Sequence, residues 1–279
     1  MPSNHSILGI DAAWTLAQPS GIALAARSPA GWRLITAEPS YQHFLARSDR
    51  SLAVQERPIG SRPVAPALLA SAEKLSGRAI DLIAIDMPMA HSPIIGRRCC
   101  DNAVSQAYGA RKCGTHTPST ERPGRMSDEL CEGFRDAGYP LRTTTVTTPG
   151  LIEVYPHPAL VALACASERL PYKASKVRSY WPALNPAQRR KRLYQQWSEI
   201  VALLDCEISG VAEALPRLEL RASGVAVKAF EDKLDAIVSA WVGICALEGR
   251  AKPFGDPDAA IWIPKPREGV SRCPHRATA

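Results

Sequence analysis

The sequence predicts an α/β fold in which helices flank a mixed sheet of five strands. Short apolar runs of strand length recur along the chain, and turn residues separate the first three of them. Segments with helical periodicity lie between and after the later runs. Because short turns favour antiparallel pairing and helical crossovers favour parallel pairing, we expect an antiparallel meander extended by parallel strands.

The five strands are predicted from their apolar runs and from the residues that end them. Pro-Ser-Gly and Pro-Ala-Gly turns divide the first three, which predicts the meander. The fourth is a near-continuous apolar run that Pro88 ends, as is typical of a strand buried on both faces. Pro156 ends the fifth strand in the same way. The predicted strands are residues 6–13, 22–26, 32–36, 81–86 and 151–155.

Four helices are predicted from their boundaries and apolar stripes. Ser76-Gly77 ends the first helix, and Pro158 suits the first turn of the second. Asn185-Pro186 is a cap followed by a proline at the first helical position, and it begins the third. An apolar stripe through Trp241 indicates the fourth. The predicted helices are residues 67–75, residues 157–170, a segment that begins at 186, and residues 227–248.

We expect one domain over residues 1–264, with an insertion at about 91–148. The insertion carries many Arg, Cys, Gly, Pro and Thr residues with little periodicity, so it is expected to build or cover a site. Residues 265–279 hold proline and basic residues and are predicted to form a loose C-terminal tail.

The charge of the chain is compatible with nucleic acid as a partner. The net charge is +7 and the sequence pI is about 9.1. No apolar run of about 18 residues predicts a membrane span. The first residues lack the basic region and apolar stretch of a secretory signal. We therefore expect a cytoplasmic protein that does not contact membranes, with its oligomeric state left open.

The eight cysteines are expected to be reduced thiols. Several of them lie near a histidine in the insertion, but their spacing does not closely match a standard zinc pattern. Zinc binding by this group is therefore an open alternative to a structural role. The residues are Cys99, Cys100, Cys113, His116 and Cys131.

Four apolar segments, far apart in the chain, each carry a carboxylate. An acid at the end of a buried strand is costly to desolvate unless it is paired or bound to a cation. Several such acids brought together repel one another, and a bound metal removes that repulsion. The pattern predicts a divalent-metal site at one edge of the sheet, with catalytic residues Asp11, Asp86, Glu153 and Asp235.

Three of these acids are predicted to be metal ligands. Asp11 ends the central first strand and is expected to bridge, and Asp86 is expected to join it from the adjacent parallel strand. Asp235 is the third because it lies closer to the buried stripe of its helix than Asp232, which remains the alternative. Carboxylate oxygens suit hard cations, so Mg²⁺ or Mn²⁺ is expected. Two such ions about 4 Å apart can activate water and stabilise the leaving oxygen of a phosphodiester.

Other residues are candidates for supporting roles. Glu153 is a further ligand or a group that orients a metal-bound water, and the alternative is an ion pair with an arginine of the insertion. His157 is a candidate for proton transfer near the scissile group, or a capping or packing residue. Arginine forks suit phosphate oxygens, so three arginines of the insertion are candidates for substrate binding, with a salt bridge to Asp101 as the alternative. They are Arg97, Arg98 and Arg111.

The predicted order of elements is that of the ribonuclease H-like fold. Five phrases, which occur in order over roughly residues 6–264, resemble the DUF429 family. That family is described as predicted ribonuclease H-like nucleases, so the resemblance implies this fold and a metal-dependent nuclease that hydrolyses phosphodiester bonds of DNA or RNA. The phrases are Gly9-Ile10-Asp11-Ala12-Ala13, Ile85-Asp86-Met87-Pro88, Arg98-Cys99-Cys100-Asp101, Glu153-Val154-Tyr155-Pro156-His157-Pro158 and Lys233-Leu234-Asp235-Ala236.

Two other functions share this core topology. One is a non-catalytic module that binds nucleic acid or nucleotide. The other is a phosphotransferase of the actin, Hsp70 and sugar-kinase kind, which uses a glycine-rich turn after the first strand to hold phosphates. Here that turn reads Asp11-Ala12-Ala13-Trp14-Thr15, without glycine, and the core is not duplicated. The sequence therefore disfavours the phosphotransferase.

Overall fold

Seven strands form one mixed sheet within residues 4–266, which are the residues that the computed structural model describes. The strands are β1 (Ser6–Asp11), β2 (Gly21–Ser28), β3 (Gly31–Glu38), β4 (Leu82–Asp86), β5 (Gly150–Val154), β6 (Ala251–Gly255) and β7 (Ala260–Pro264). Their order across the sheet is β3-β2-β1-β4-β5-β7-β6. The first three strands are antiparallel, β1, β4, β5 and β7 are parallel, and β6 is antiparallel to β7.

The predicted α/β class and the mixed sheet are confirmed, but the prediction of five strands was wrong. The hairpin of β6 and β7 adds two strands beyond β5. Pro253 lies inside β6 and weakens its strand signal in the sequence. Proline is tolerated there because β6 is an edge strand, which leaves its outer backbone groups unpaired.

Helices cover both faces of the sheet. The insertion, which showed little periodicity in the sequence, contains two of them, and the helix predicted to run to about residue 170 ends at Leu163. No helix within residues 4–266 is long and apolar enough to cross a bilayer. The predicted tail lies mostly at 267–279, outside the described residues. The helices are α1 (Tyr41–Ser48), α2 (Ala65–Ser76), α3 (Cys99–Tyr108), α4 (Arg125–Asp136), α5 (Pro156–Leu163), α6 (Val177–Tyr180), α7 (Pro186–Asp205), α8 (Val211–Ala214) and α9 (Gly224–Leu247).

Alternation along β1 divides the core into two layers. Ile7 packs with residues of α5, α7 and α9 on one face of the sheet. Leu8 and Ile10 pack with residues of α1, α2 and α4 on the other. Because successive side chains of a strand point to opposite faces, Asp11 lies on the same face as Ile7, beneath α9.

The helix α9 lies close to the sheet because the strand residues that face its backbone are glycines. A Cβ atom on Gly9 would lie 2.3 Å from the carbonyl oxygen of Ala236 and 2.4 Å from the backbone nitrogen of Ala240. A Cβ atom on Gly21 would lie 2.0 Å from the carbonyl oxygen of Asp232. Since Gly21 is the register partner of Asp11, the acidic turns of α9 lie over the end of β1.

We expect Gly9→Ala to lower the free energy of unfolding by about 1–3 kcal/mol, because the added methyl group meets backbone atoms that cannot move independently. Urea titration at neutral pH measures this change. Gly96→Ala is the matched control, since a Cβ atom there meets no atom within 4 Å. Equal stability of the two variants would show that α9 does not approach β1 this closely.

Candidate functional site

Asp11 and Asp86 lie side by side at the ends of two parallel strands. They are register partners in the pairing of β1 with β4, so their side chains point to the same face of the sheet. Both remain partly exposed, whereas the residues before them in each strand are buried. Within residues 4–266 neither carboxylate accepts a hydrogen bond or forms an ion pair. Their oxygens are therefore available to a ligand.

The helix α9 supplies the remaining acids of the site. Asp232 and Asp235 are 1% and 0% exposed. Asp235 accepts hydrogen bonds from the Tyr172 hydroxyl at 2.8 Å and from Lys173 Nζ at 2.5 Å. Asp232 accepts a hydrogen bond from Lys228 through Oδ1, while its Oδ2 atom is buried and has no hydrogen-bond partner. We call Asp11, Asp86, Asp232 and Asp235 the acidic cluster.

The pKa values of the cluster show that its carboxylates act on one another. Burial, followed by the charges of Asp235, Asp86 and Asp232, raises the pKa of Asp11 well above its usual value, although Lys173 opposes the shift. Burial raises the pKa of Asp86 to about 8, with Asp235 adding to the shift against Lys173. Burial raises the pKa of Asp232 to about 7 against the effect of Lys228. Asp232 and Asp235 are therefore both close enough for their charges to raise the pKa of Asp11.

Two lysines neutralise part of the acidic cluster. Lys173 lies just before the short 3₁₀ helix Ala174–Lys176, and Lys228 lies in the first turns of α9. Burial opposes their charge, but Asp235 raises the pKa of Lys173 well above its usual value, and Asp232 raises that of Lys228. In the described part of the chain, no three His, Cys, Asp or Glu side chains are already arranged to hold a metal ion. The ammonium groups of Lys173 and Lys228 supply part of the positive charge that a bound cation would otherwise provide to the carboxylates.

Glu153 lies apart from the acidic cluster. Its register partner in β4 is Ile85, so its side chain is on the face of the sheet opposite to that of Asp86. Its carboxylate accepts hydrogen bonds from Arg98 at 2.6 and 2.8 Å and from the backbone nitrogen of Met89 at 2.7 Å. Burial raises its pKa to about 6 although Arg98 opposes the shift. The structure thus forms the ion pair with the insertion that the sequence had left as the alternative role.

The three candidate arginines of the insertion all bind protein groups. Arg98 is buried and also pairs with Asp101. Arg97 donates to the side chains of Asn102, Thr117 and Ser105. The guanidinium of Arg111 donates to the backbone oxygens of Ala166 and Ser167. Their predicted role in substrate binding would require these contacts to break.

The cysteine group of the insertion is dispersed. Cys100 and Cys113 belong to one apolar core region and Cys131 to another, while Cys99 is exposed. His116 contacts the ring of Trp14 edge-on, with centroids 6.3 Å apart. Burial raises the pKa of Cys113 and of Cys131 to about 11, which keeps both thiols protonated. The open zinc alternative therefore gains no support.

His157 lies next to the acidic cluster through an aromatic contact. Its ring meets Tyr172 at a centroid distance of 5.5 Å and Tyr155 at 5.3 Å, both edge-on. It is 8% exposed, and its Nδ1 atom is buried without a hydrogen-bond partner. Burial lowers its pKa well below the usual value, and the charges of Arg169 and Lys173 lower it further. The neutral imidazole is therefore favoured.

Sequence reasoning missed Tyr172, Lys173 and Arg169. They lie in the irregular segment between α5 and α6, where neither periodicity nor a motif distinguishes them. Their importance follows only from contacts with residues such as Asp235, 62 positions away from Lys173. A lysine next to a tyrosine in a loop is too common to indicate a site.

The family of this chain follows from a comparison with family models. The model described as "Protein of unknown function (DUF429)" matches residues 9–260. The chain belongs to the DUF429 family. No curated protein and no solved structure matches the chain. All four residues of the acidic cluster lie inside the part that matches DUF429, and their metal-binding and catalytic roles remain predictions.

The raised pKa values predict that this DUF429 protein, without metal, loses stability between pH 6.5 and about pH 8. The folded protein retains a proton on Asp232 up to about pH 7 and on Asp86 up to about pH 8, whereas the unfolded chain, with an ordinary pKa of 3.8, has released both. Stability then falls as pH rises, by up to about 1.4 kcal/mol per pH unit for each group. Buried His157 has the opposite effect, but only below its ordinary value of 6.5.

Urea titrations in the presence of a chelator measure this slope. Asp86→Asn removes one titrating group and should flatten the slope. Asp136→Asn, at the exposed end of α4, should leave it as it is. A stability that is constant or that increases over the window would contradict the burial of these acids.

Lys173→Met is expected to lower the free energy of unfolding by about 3–5 kcal/mol, because it leaves the buried Asp235 without its cationic partner. Lys176→Met, at an exposed position of the 3₁₀ helix that follows Lys173, is the control and should change the free energy of unfolding little. Adding Asp235→Asn to Lys173→Met should recover part of the loss. A double variant whose losses simply add would mean that the two side chains do not interact.

Proposed function

We propose that this DUF429 protein is a metal-dependent nuclease with a ribonuclease H-like fold, which hydrolyses phosphodiester bonds of nucleic acid. The observation that carries the proposal is the acidic cluster itself. Carboxylates from β1, β4 and α9, which are remote in the chain, come together at one end of the central strands. A protein gains no stability from bringing mutually repelling acids together. A function that requires several carboxylates at one place is therefore the simplest explanation of the cluster.

The arrangement of strands supports the fold part of this proposal. The meander β1 to β3 continues through β4 and β5 in the order β3-β2-β1-β4-β5, with β1 in the centre of these five. The ribonuclease H-like fold implies catalytic acids on the first strand, on the fourth strand and on a late helix. Asp11, Asp86 and Asp235 hold these three positions. The hairpin of β6 and β7 lies beyond this core and leaves the arrangement intact.

The donor atoms of the acidic cluster fit a hard divalent cation. Among the described residues, Asp11 and Asp86 offer unpaired carboxylates, and Asp232 offers a buried oxygen that has no hydrogen-bond partner there. An unpartnered carboxylate oxygen in the interior is costly, and Mg²⁺ or Mn²⁺ is the kind of ligand that satisfies such oxygens. We propose that Asp11, Asp86 and Asp235 hold the metal, with Asp232 beside them. A metal bound there supplies an activated water and stabilises the leaving oxygen.

Other residues of the chain position these acids. Glu153 accepts a hydrogen bond from the backbone N–H of Met89 and binds Arg98, so it holds the segment just after β4, the strand that Asp86 ends. The Tyr172 hydroxyl fixes Oδ1 of Asp235. Lys173 places a positive charge next to Asp235, where it also lowers the pKa values of Asp11 and Asp86 and so favours their ionised forms. These contacts orient the carboxylates before any ligand arrives.

A non-catalytic module that binds nucleic acid or nucleotide is the second candidate. The ion pairs of Lys173 with Asp235 and of Lys228 with Asp232 favour it, because they already neutralise part of the cluster without a metal. It shares the expected partner, nucleic acid, with the first proposal. The phosphotransferase gains no support, since the turn after β1 lacks glycine at the positions of close approach.

Mn²⁺ is expected to raise the melting temperature of the wild type, because it binds the folded state. Mn²⁺ or Mg²⁺ should also be required for cleavage of DNA, RNA or a branched junction. Asp11→Asn should remove the stabilisation by metal and lower the cleavage rate by more than about a hundredfold, since Asp11 would be one of the ligands of the proposed metal. Asp136→Asn, remote on α4, should retain both properties.

Stabilisation by Mn²⁺ that is the same in the wild type and in Asp11→Asn would rule out the proposed metal site. Stabilisation that depends on Asp11, without cleavage of any nucleic acid in the panel, would instead support the binding module.

A further inference from the structure

Arg169 differs from the other arginines near the site because its guanidinium is unpaired in the part of the chain that the structure describes. Within residues 4–266 its side chain forms no salt bridge, and its Nε atom is buried without a hydrogen-bond partner. Arg97, Arg98 and Arg111, in contrast, all bind protein groups. A buried N–H donor without an acceptor costs about 1–3 kcal/mol, and a ligand from outside the chain is one way to satisfy it.

The segment that carries Arg169 is fixed in place. The backbone nitrogen of Arg169 donates to the carbonyl oxygen of Arg111 at 2.9 Å. Arg111 in turn binds the backbone oxygens of Ala166 and Ser167. Arg111 therefore builds the loop and holds the backbone of Arg169, while the side chain of Arg169 forms no hydrogen bond or ion pair within residues 4–266. This is the arrangement expected of a preorganised binding residue.

His157 supplies a second unpaired donor or acceptor at the same place. Its Nδ1 atom is buried and has no partner, and its ring is held edge-on between Tyr155 and Tyr172. His157 contacts the ring of Tyr172, which follows Arg169 closely in the same segment, and the charge of Arg169 helps to lower the pKa of this imidazole. Since the Tyr172 hydroxyl binds Asp235, one aromatic ring separates His157 from the acidic cluster.

The charge around these groups favours an anion. Lys173 and His116 also act on His157, and Arg169 acts on Tyr155, which is close enough to Asp86 to be influenced by its charge. Positively charged side chains therefore act on residues just after β5 and in α5 that lie beside the carboxylates. Phosphate oxygens suit these groups, because a guanidinium offers parallel N–H donors and an imidazole N–H adds another.

We propose that Arg169 and His157, flanked by Lys173, form a phosphate subsite beside the acidic cluster. Its ligand is a phosphate group of the substrate, so the substrate class is a phosphate ester, and the assignment of this phosphate to a substrate rests on the proposed nuclease function. The subsite would hold one phosphate on the protein side while the carboxylates act on the phosphodiester next to it.

Binding of inorganic phosphate to the intact chain tests the subsite without any metal. Thermal denaturation is followed against phosphate concentration, with a chelator present and with ionic strength held constant by chloride. The wild type should show saturable stabilisation. Arg169→Gln should weaken phosphate affinity by about tenfold or more, and Arg169→Lys, which keeps the charge but loses the fork, should fall between the two. The intermediate variant also keeps the test valid if Arg169→Gln folds poorly.

Arg178→Gln is the matched control, since it removes the same charge from an exposed position of α6 nearby and should bind phosphate like the wild type. Asp11→Asn should also retain phosphate binding, because Arg169 remains intact. A short oligonucleotide that displaces phosphate in the wild type would place the ligand in a nucleic-acid backbone, and displacement only by a mononucleotide would identify a small phosphate ester.

No saturable effect of phosphate on the wild type, or equal affinity in the wild type and Arg169→Gln, would overturn the subsite even if metal-dependent cleavage were observed. Phosphate binding that depends on Arg169 would establish the subsite even if no nucleic acid were cleaved. In that case only the nuclease proposal would be contradicted.

Discussion

The close packing of α9 against β1 is the constraint on which the rest of the structure depends. Gly9 and Gly21 allow backbone atoms of the helix to lie against the strands with no side chain between them. Leu234 and Ile237 fill the core on either side of this contact. The same helix face carries Asp232 and Asp235, so the packing that builds the core also forces acids toward Asp11. Hydrophobic burial thereby provides the free energy that holds repelling carboxylates together.

The sheet separates two polar systems with different character. On the α9 face, the acidic cluster has more carboxylates than lysines to pair with them, and two of its acids have no partner within residues 4–266. On the opposite face, the buried Arg98 is fully used by Glu153, Asp101 and a backbone oxygen. The second system is satisfied and therefore structural. The first is unsatisfied, which is why it is the candidate for ligand binding.

Local patterns in the sequence were enough to predict the central strands, α9 and the meeting of Asp11 with Asp86. Apolar runs identify strands, and parallel strands bring their carboxyl ends to one edge. The face of the sheet to which Glu153 points was harder to predict. A strand buried on both faces lacks the alternation of polar and apolar residues that would show which side chains point to which face. Lys173 and Arg169 could not be found, since their roles depend on contacts between distant segments. The hairpin of β6 and β7 was hidden by Pro253, which only an edge position tolerates.

The distribution of the acids along the chain has a consequence for biosynthesis. Asp11 and Asp86 leave the ribosome long before α9 is made, and the face of β1 that α9 covers stays open during that interval. Domains complete their folding only when such late elements dock. The four carboxylates of the acidic cluster can therefore meet at the end of β1 only after α9 has emerged and docked on the sheet.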